Sequence, residues 1–238
     1  MNALIVTGTD TGIGKTVVCA MLTLALDGYY WKPIQSGLGG ATDCETVAAL
    51  TGMPSERLLR ERYRLRHPLS PHRAAELDGI EIDWQLIGLP EVPPDRTLII
   101  EGAGGVLVPL TRGALQTEMF ARWKVPVVVV ARTALGTINH TLLTVEALKR
   151  RSIAVHGIIF VGDEMPDTQR SIAEFTGERI LGRVPLLQRI DAEVLREVFA
   201  TAFRREDFNQ THPSPGAPLA SFARGAPPSP ARGEGKHR

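Results

Sequence analysis

Short apolar runs alternate along this chain with longer stretches of mixed polar and apolar residues. Runs rich in Val, Ile and Leu between turn residues predict strands at Leu4–Thr7, Tyr30–Lys32, Leu98–Glu101, Val125–Ala131, Gly157–Val161 and Ile180–Val184. Several are apolar throughout instead of alternating, as in strands buried on both faces of a parallel sheet. Between them, helical patterns cover Lys15–Leu26, Asp43–Leu50, Pro71–Leu77, Leu115–Trp123, Asn139–Arg151, Asp167–Phe175 and Ala192–Phe203. This order of elements predicts an α/β fold: a single-domain, doubly wound, mostly parallel sheet with helices on both faces. Ligands of such sheets bind beyond the carboxyl ends of the strands.

The pattern stops near Asn209. Beyond it six prolines, from Pro213 to Pro230, alternate with Gly, Ser, Ala and Arg, and only Leu219 and Phe222 are sizeable apolar residues. Such a stretch buries too little surface to offset its ordering entropy, so residues 1–208 are expected to form the domain and 209–238 a disordered tail. The formal net charge of +1, with no long like-charge run, argues against nucleic acid as the main partner. No apolar run approaches the roughly 20 residues of a membrane span, and the N-terminus has no basic region of a signal peptide. Cys19 and Cys44 are too few for a disulfide framework or a zinc site, which fits a reducing, cytoplasmic setting. Cys19 reads as a small core residue of the first helix.

The chemistry starts where the first strand ends. Gly8-Thr9-Asp10-Thr11-Gly12-Ile13-Gly14-Lys15-Thr16 stands between an apolar strand and a helix, the context a phosphate-binding loop requires. Its glycines let backbone N–H groups converge on phosphate oxygens, and the helix start adds partial positive charge. Lys15 would neutralise the outer phosphates and the Thr16 hydroxyl would ligate Mg²⁺. Five residues separate Gly8 from Gly14, one more than in the usual phosphate loop. The fold is therefore expected to be of the phosphate-loop NTPase kind.

Five further segments lie near predicted strand ends or helix starts. Leu98-Ile99-Ile100-Glu101-Gly102-Ala103-Gly104-Gly105 closes an apolar strand with a carboxylate, as nucleotide hydrolases place an acidic Mg²⁺ ligand, and its glycines allow close backbone approach. In Trp31-Lys32-Pro33-Ile34-Gln35-Ser36-Gly37, Lys32 is either a solvated lysine before a proline turn or a second ammonium at the phosphates. Asp43 sits at a helix start, either as an N-cap or as a further Mg²⁺ ligand or the orienter of a ligating water. Ser70 fits an N-cap and Pro71 the first helical position, which leaves His72 as a surface or a site histidine. Gly136-Thr137-Ile138-Asn139-His140 opens a helix whose free N–H groups suit an anion, or is an ordinary capped start.

Taken together, G-T-D-T-x-x-G-K-T, W-K-P-I-Q-S-G, S-P-H, E-G-A-G-G and L-G-T-I-N-H, in this order, resemble the dethiobiotin synthetase family from Met1 to about Phe203. Partition-type ATPases and phosphate-loop amidoligases share the first motif, but not the second and last together. No segment resembling a glutaminase is present. The variant loop spacing is also that family's pattern.

The resemblance implies a cyclo-ligase that consumes ATP with Mg²⁺ and joins 7,8-diaminononanoate to CO₂ (or bicarbonate) through a carbamate and a carbamic–phosphoric anhydride. It implies Lys32 and Lys15 as catalytic. Gly12, Ile13, Gly14, Lys15, Thr16 and Val17 would cradle the ATP phosphates, with Glu101, Gly102, Ala103 and Gly104 opposite and Pro185, Leu186 and Leu187 at the base. Thr16, Asp43 and Glu101 would hold Mg²⁺, while Thr11, Ser36, Gly136 and Asn139 would meet the diamine substrate. The extra loop residue would give room for the diamine beside the phosphates. A homodimer is implied, with residues 136–139 reaching the partner's site. One departure stands out. The family's Asn, which reads the adenine edge at the end of the fifth predicted strand, is replaced by Val161 here. Nucleotide discrimination is then weaker, or it rests on backbone groups.

Overall fold

The computed structural model describes residues 2–208, so the expected tail lies outside the described residues. Strands β1 (Asn2–Gly8), β2 (Tyr29–Trp31), β4 (Leu58–Leu59), β6 (Thr97–Gly105), β7 (Val127–Arg132), β8 (Val155–Val161) and β9 (Ile180–Val184) form one sheet in the order β4-β2-β6-β1-β7-β8-β9. Every pairing in it is parallel. The apolar runs divide by alternation between two cores. Ile5, Leu98, Ile100, Val127, Val129, Ile158 and Phe160 face one side, and Leu4, Val6, Ile99, Val128, Val130 and Ile159 the other.

Helices α3 (Pro71–Asp78), α4 (Gln116–Trp123), α5 (Thr137–Lys149) and α6 (Pro166–Thr176) contribute to the first core. Helices α1 (Lys15–Ala25), α2 (Asp43–Thr51) and α7 (Ala192–Ala202) cover the second. The doubly wound sheet is therefore as expected, because continuous β-branched runs can hide both faces only between two helical layers. No described helix is long and apolar enough to cross a membrane.

Three differences bear on the site. A second, two-stranded parallel sheet pairs β3 (Ile34–Ser36) with β5 (Tyr63–Leu65). Strands this short carry no readable alternation. β6 does not stop at Glu101 but continues to Gly105, with a register irregularity between Val6 and Gly8 of β1. Helix α5 begins at Thr137, two residues before the expected start, because Gly136 takes a left-handed φ of 91° immediately before it.

Far from that end of the sheet, His156 fastens the last described turn, Arg205–Phe208. Its Nε2 lies 2.8 Å from the Asp207 carbonyl, and the Arg179 guanidinium donates to that carbonyl and to the His156 carbonyl at 2.6 and 3.0 Å. Burial holds the His156 pKa below the ordinary histidine value. A proton therefore binds the unfolded chain more readily than the folded one, so this contribution to stability is whole above the unfolded pKa of about 6.5 and is lost as pH falls below it. Urea unfolding should show stability declining from pH 7 to pH 5, with a shallower decline in His156→Gln. An equal decline in both proteins would assign the pH dependence elsewhere.

Candidate active site

The site is built where β1, β2 and β6 deliver their carboxyl-end residues to the starts of α1 and α2. β1 runs into residues 9–14, and α1 starts at Lys15. The first N–H groups of α1 have no acceptor inside the helix and face the loop. Gly14 stands before them with φ 95°, a backbone shape that strains any residue with a side chain. A Cβ at Gly14 would also come within 3.2 Å of Val161 Cγ1. Val161 thus supports the loop from beneath, and it has no side-chain group to hydrogen-bond a base.

Lys15 is 94% hidden, and its Nζ donates to the Asp10 carbonyl at 2.8 Å, folding the side chain back along its own loop. Burial pulls the Lys15 ammonium below the ordinary lysine range, with Lys32 pulling the same way and Glu101 opposing both.

Lys32 follows β2 and is equally buried. It forms ion pairs with Asp43 and, at 3.1 Å, with Glu101 Oε1. Burial works against this ammonium, but the two carboxylates outweigh it and hold its pKa above the usual lysine value. Lys32 is therefore not the solvated lysine that its proline turn allowed. Asp43 is also freed from the capping reading. Thr42 is the N-cap of α2, accepting from the Glu45 N–H at 3.2 Å while the Glu45 carboxylate accepts from the Thr42 N–H at 2.8 Å. This capping box leaves Asp43 at the first helical position with its carboxylate turned to Lys32 and Thr16.

Thr16, at the start of α1, joins the same cluster. Its hydroxyl lies 2.9 Å from Glu101 Oε1 and 3.2 Å from Asp43 Oδ1. A hydroxyl and two carboxylates are the hard oxygen donors that Mg²⁺ takes, and the Thr16 distances are near the roughly 2.9 Å edge of an octahedron with metal–oxygen bonds of about 2.0–2.1 Å. Among the described residues no three His, Cys, Asp or Glu gather as a metal-holding group. A metal here would lean on phosphate oxygens and water for its remaining positions.

Beside this cluster opens a cavity of about 830 Å³ lined by Thr11, Lys32, Gln35, Ser36, Asp43, Ala103 and Gly104, with Ile34, Leu69 and Val108 as apolar wall. The short sheet of β3 and β5 supplies Ile34, Gln35 and Ser36 and so shapes one side. The Ser36 Oγ is buried and has no partner among the described residues, which leaves it ready for a ligand. Gly104 takes φ 54°, and a Cβ there would meet Val108 Cγ2 at 2.9 Å. That glycine run is clamped by a fully buried amide: Gln116 accepts from the Ala103 N–H at 3.1 Å and donates to the Ala103 carbonyl at 2.9 Å and to the Gly105 carbonyl.

The structure thus brings Lys15, Thr16, Lys32, Asp43 and Glu101 together, with Thr11, Ser36, Ala103 and Gly104 around the adjoining cavity. Gly102 lies underneath, against Phe120 and Gln116. Gly136 and Asn139 do not line this cavity. Nor do Pro185, Leu186 and Leu187, which follow the edge strand β9. Ser70 makes no side-chain cap; its hydroxyl is 3.0 Å from His72 Nδ1. The sequence reading missed Tyr30, whose hydroxyl donates to Glu101 Oε2 at 2.9 Å, and Gln116; both passed as ordinary positions of a strand and a helix.

A family model described as an AAA domain matches residues 2–194. The chain is 52% identical over 208 residues to a protein of Novosphingobium aromaticivorans named ATP-dependent dethiobiotin synthetase BioD, covering 87% of this chain and 100% of that one. A protein of the same name from Nitrobacter hamburgensis is 55% identical over 205 residues, covering 86% and 96%. Among solved structures, a ParA family ATPase from Chlorobium tepidum is similar at a TM-score of 0.47 and 12% identity, covering 85% of this chain and 91% of that one.

Proposed function

This chain belongs to the ATP-dependent dethiobiotin synthetase family, and from that membership we propose that it closes the ureido ring of dethiobiotin by phosphorylating a carbamate in the cavity beside Lys32. One observation carries this reading. The phosphate loop and the cavity meet at one cluster in which the buried Lys32 pairs with Asp43 and Glu101, with the buried Lys15 close enough to feel Glu101.

The substrates are 7,8-diaminononanoate, CO₂ (or bicarbonate) and ATP. One amine takes up CO₂ and loses a proton, giving a carbamate. A carbamate oxygen then forms a bond to the γ-phosphorus as the bond to ADP breaks. The second amine attacks the carbamoyl carbon, inorganic phosphate leaves with the bridging oxygen, and the ring closes. Each step needs positioning and charge stabilisation, with no protein nucleophile. Lys15 and Lys32 stabilise the negative charge on the carbamate and on the transferring phosphoryl group. Gly12 to Val17 hold the phosphates through backbone N–H groups.

The oxygens of Thr16, Asp43 and Glu101 would hold Mg²⁺, which when bound neutralises charge on the phosphates. Thr11 and Ser36 contact the diamine, and the apolar wall of Ile34, Leu69 and Val108 suits its hydrocarbon chain. Glu101, Ala103 and Gly104 border the phosphates, and Pro185 to Leu187 border the base.

Gly136 and Asn139 take their place through a homodimer. Leu135 is fully exposed, and Leu107, Ile138 and Leu143 expose apolar surface as well, so the start of α5 presents a face suited to a second copy of the chain. In that arrangement backbone N–H groups near Gly136–Asn139 donate to the substrate carboxylate in the partner's site.

ATP conversion to ADP and phosphate should require both the diamine and bicarbonate, with dethiobiotin found by mass spectrometry. Brisk ATP turnover without the diamine would favour a switch ATPase instead. Lys32→Ala should lower kcat by about 10²–10³-fold. It should also lower Tm, because Asp43 and Glu101 lose their buried partner. Retained activity would remove Lys32 from the chemistry. Leu143→Glu should sediment as a monomer and lose diamine affinity; a wild-type sedimentation coefficient would place any subunit contact elsewhere.

A further inference from the structure

Glu101 is the most heavily engaged carboxylate of the site. Its Oε1 accepts from Thr16 and Lys32, at 2.9 and 3.1 Å. Its Oε2 accepts from the Tyr30 hydroxyl at 2.9 Å. Tyr30 is completely buried in the second core, and its strand neighbours in register are Ile99 and Leu58. The aliphatic packing around it has no use for a hydroxyl. A phenylalanine would fill that core equally well, yet the one polar atom Tyr30 brings is spent on the site's most buried carboxylate. A carboxylate free to turn about its last bond offers either oxygen to a cation. With Oε2 held from behind by a phenol, only Oε1 faces Thr16 and the phosphate loop.

We propose that Tyr30 is a positioning residue: its hydroxyl fixes the Glu101 carboxylate so that one oxygen, Oε1, is presented to Mg²⁺ and the phosphates. The proposal rests on the reading of Glu101 as a metal-holding residue. It makes Tyr30 an outer partner of the kind that orients ligands and tunes metal affinity.

Calorimetric titration of ADP into the full chain, in EDTA and at increasing Mg²⁺, tests this. In Tyr30→Phe the Mg²⁺ needed for the half-maximal gain in ADP affinity should rise about 10-fold. Its ADP affinity in EDTA should stay at the wild-type value. An unchanged Mg²⁺ requirement, or an equal loss of affinity with and without Mg²⁺, overturns the proposal. Glu101→Gln, measured alongside, should lose most of the Mg²⁺ dependence. If it keeps the wild-type dependence, the metal reading of Glu101 falls and the proposal with it; a changed Glu101→Gln beside an unchanged Tyr30→Phe removes the positioning role alone. A second measurement needs no variant at position 30. The chain has three tyrosines, so ¹³Cζ-tyrosine signals can be assigned with Tyr29→Phe and Tyr63→Phe. The Tyr30 signal should move when Mg²⁺ is added to the ADP-bound chain, and a stationary signal overturns the proposal.

Discussion

An ammonium held between two carboxylates at the head of the sheet is the interaction on which this site depends. Lys32 and Glu101 are 69 residues apart in the chain and almost wholly buried. Taking such charges out of water costs several kcal/mol each, so neither persists there without the other. Pairing them with Asp43 joins β2, β6 and the start of α2 at one point, with Thr16 of α1 completing the circle. The geometry leaves little slack. Removing one member leaves a buried charge uncompensated, which is a stronger penalty than loss of a surface ion pair.

That arrangement also divides the labour of the site. On one side the loop from Gly8 to Thr16 offers backbone N–H groups and Lys15. On the other, the cavity of Thr11, Ser36, Ala103 and Gly104 offers room for a small amine. The cluster lies between them, where the proposed reaction would move negative charge from a carbamate to a phosphoryl group. Thr11, one of the loop residues between Gly8 and Gly14, lines the cavity. The supports are as specific as the groups they hold: a capping box turns Asp43 inward, Gln116 clamps the glycine run, and Val161 underlies Gly14.

Features whose signal is local were legible in the sequence. Strands β1, β6, β7 and β8 of the large sheet announced themselves as apolar runs rich in Val, Ile and Leu, and the phosphate loop as glycines between a strand and a helix. Lys32 and Asp43 were ambiguous for a physical reason. A lysine before a proline, or an aspartate at a helix start, is adequately explained by its neighbours until the fold brings up a distant partner. Tyr30 was invisible for the same reason, since an aromatic residue in an apolar strand reads as core and only the position of Glu101 gives its hydroxyl a task. The two- and three-residue strands β3, β4 and β5 are too short for any periodicity, though two of them shape the cavity. Gly136 and Asn139 lie outside the cavity, so their proposed role depends on the proposed second copy of the chain.

The central claim, that the cluster serves to phosphorylate a carbamate, has a direct isotopic test. With ¹⁸O-bicarbonate, 7,8-diaminononanoate and unlabelled ATP, the account predicts that each phosphate released carries one oxygen derived from the bicarbonate, because that oxygen bridges carbon and phosphorus before the ring closes. Dethiobiotin formed together with unlabelled phosphate would contradict it.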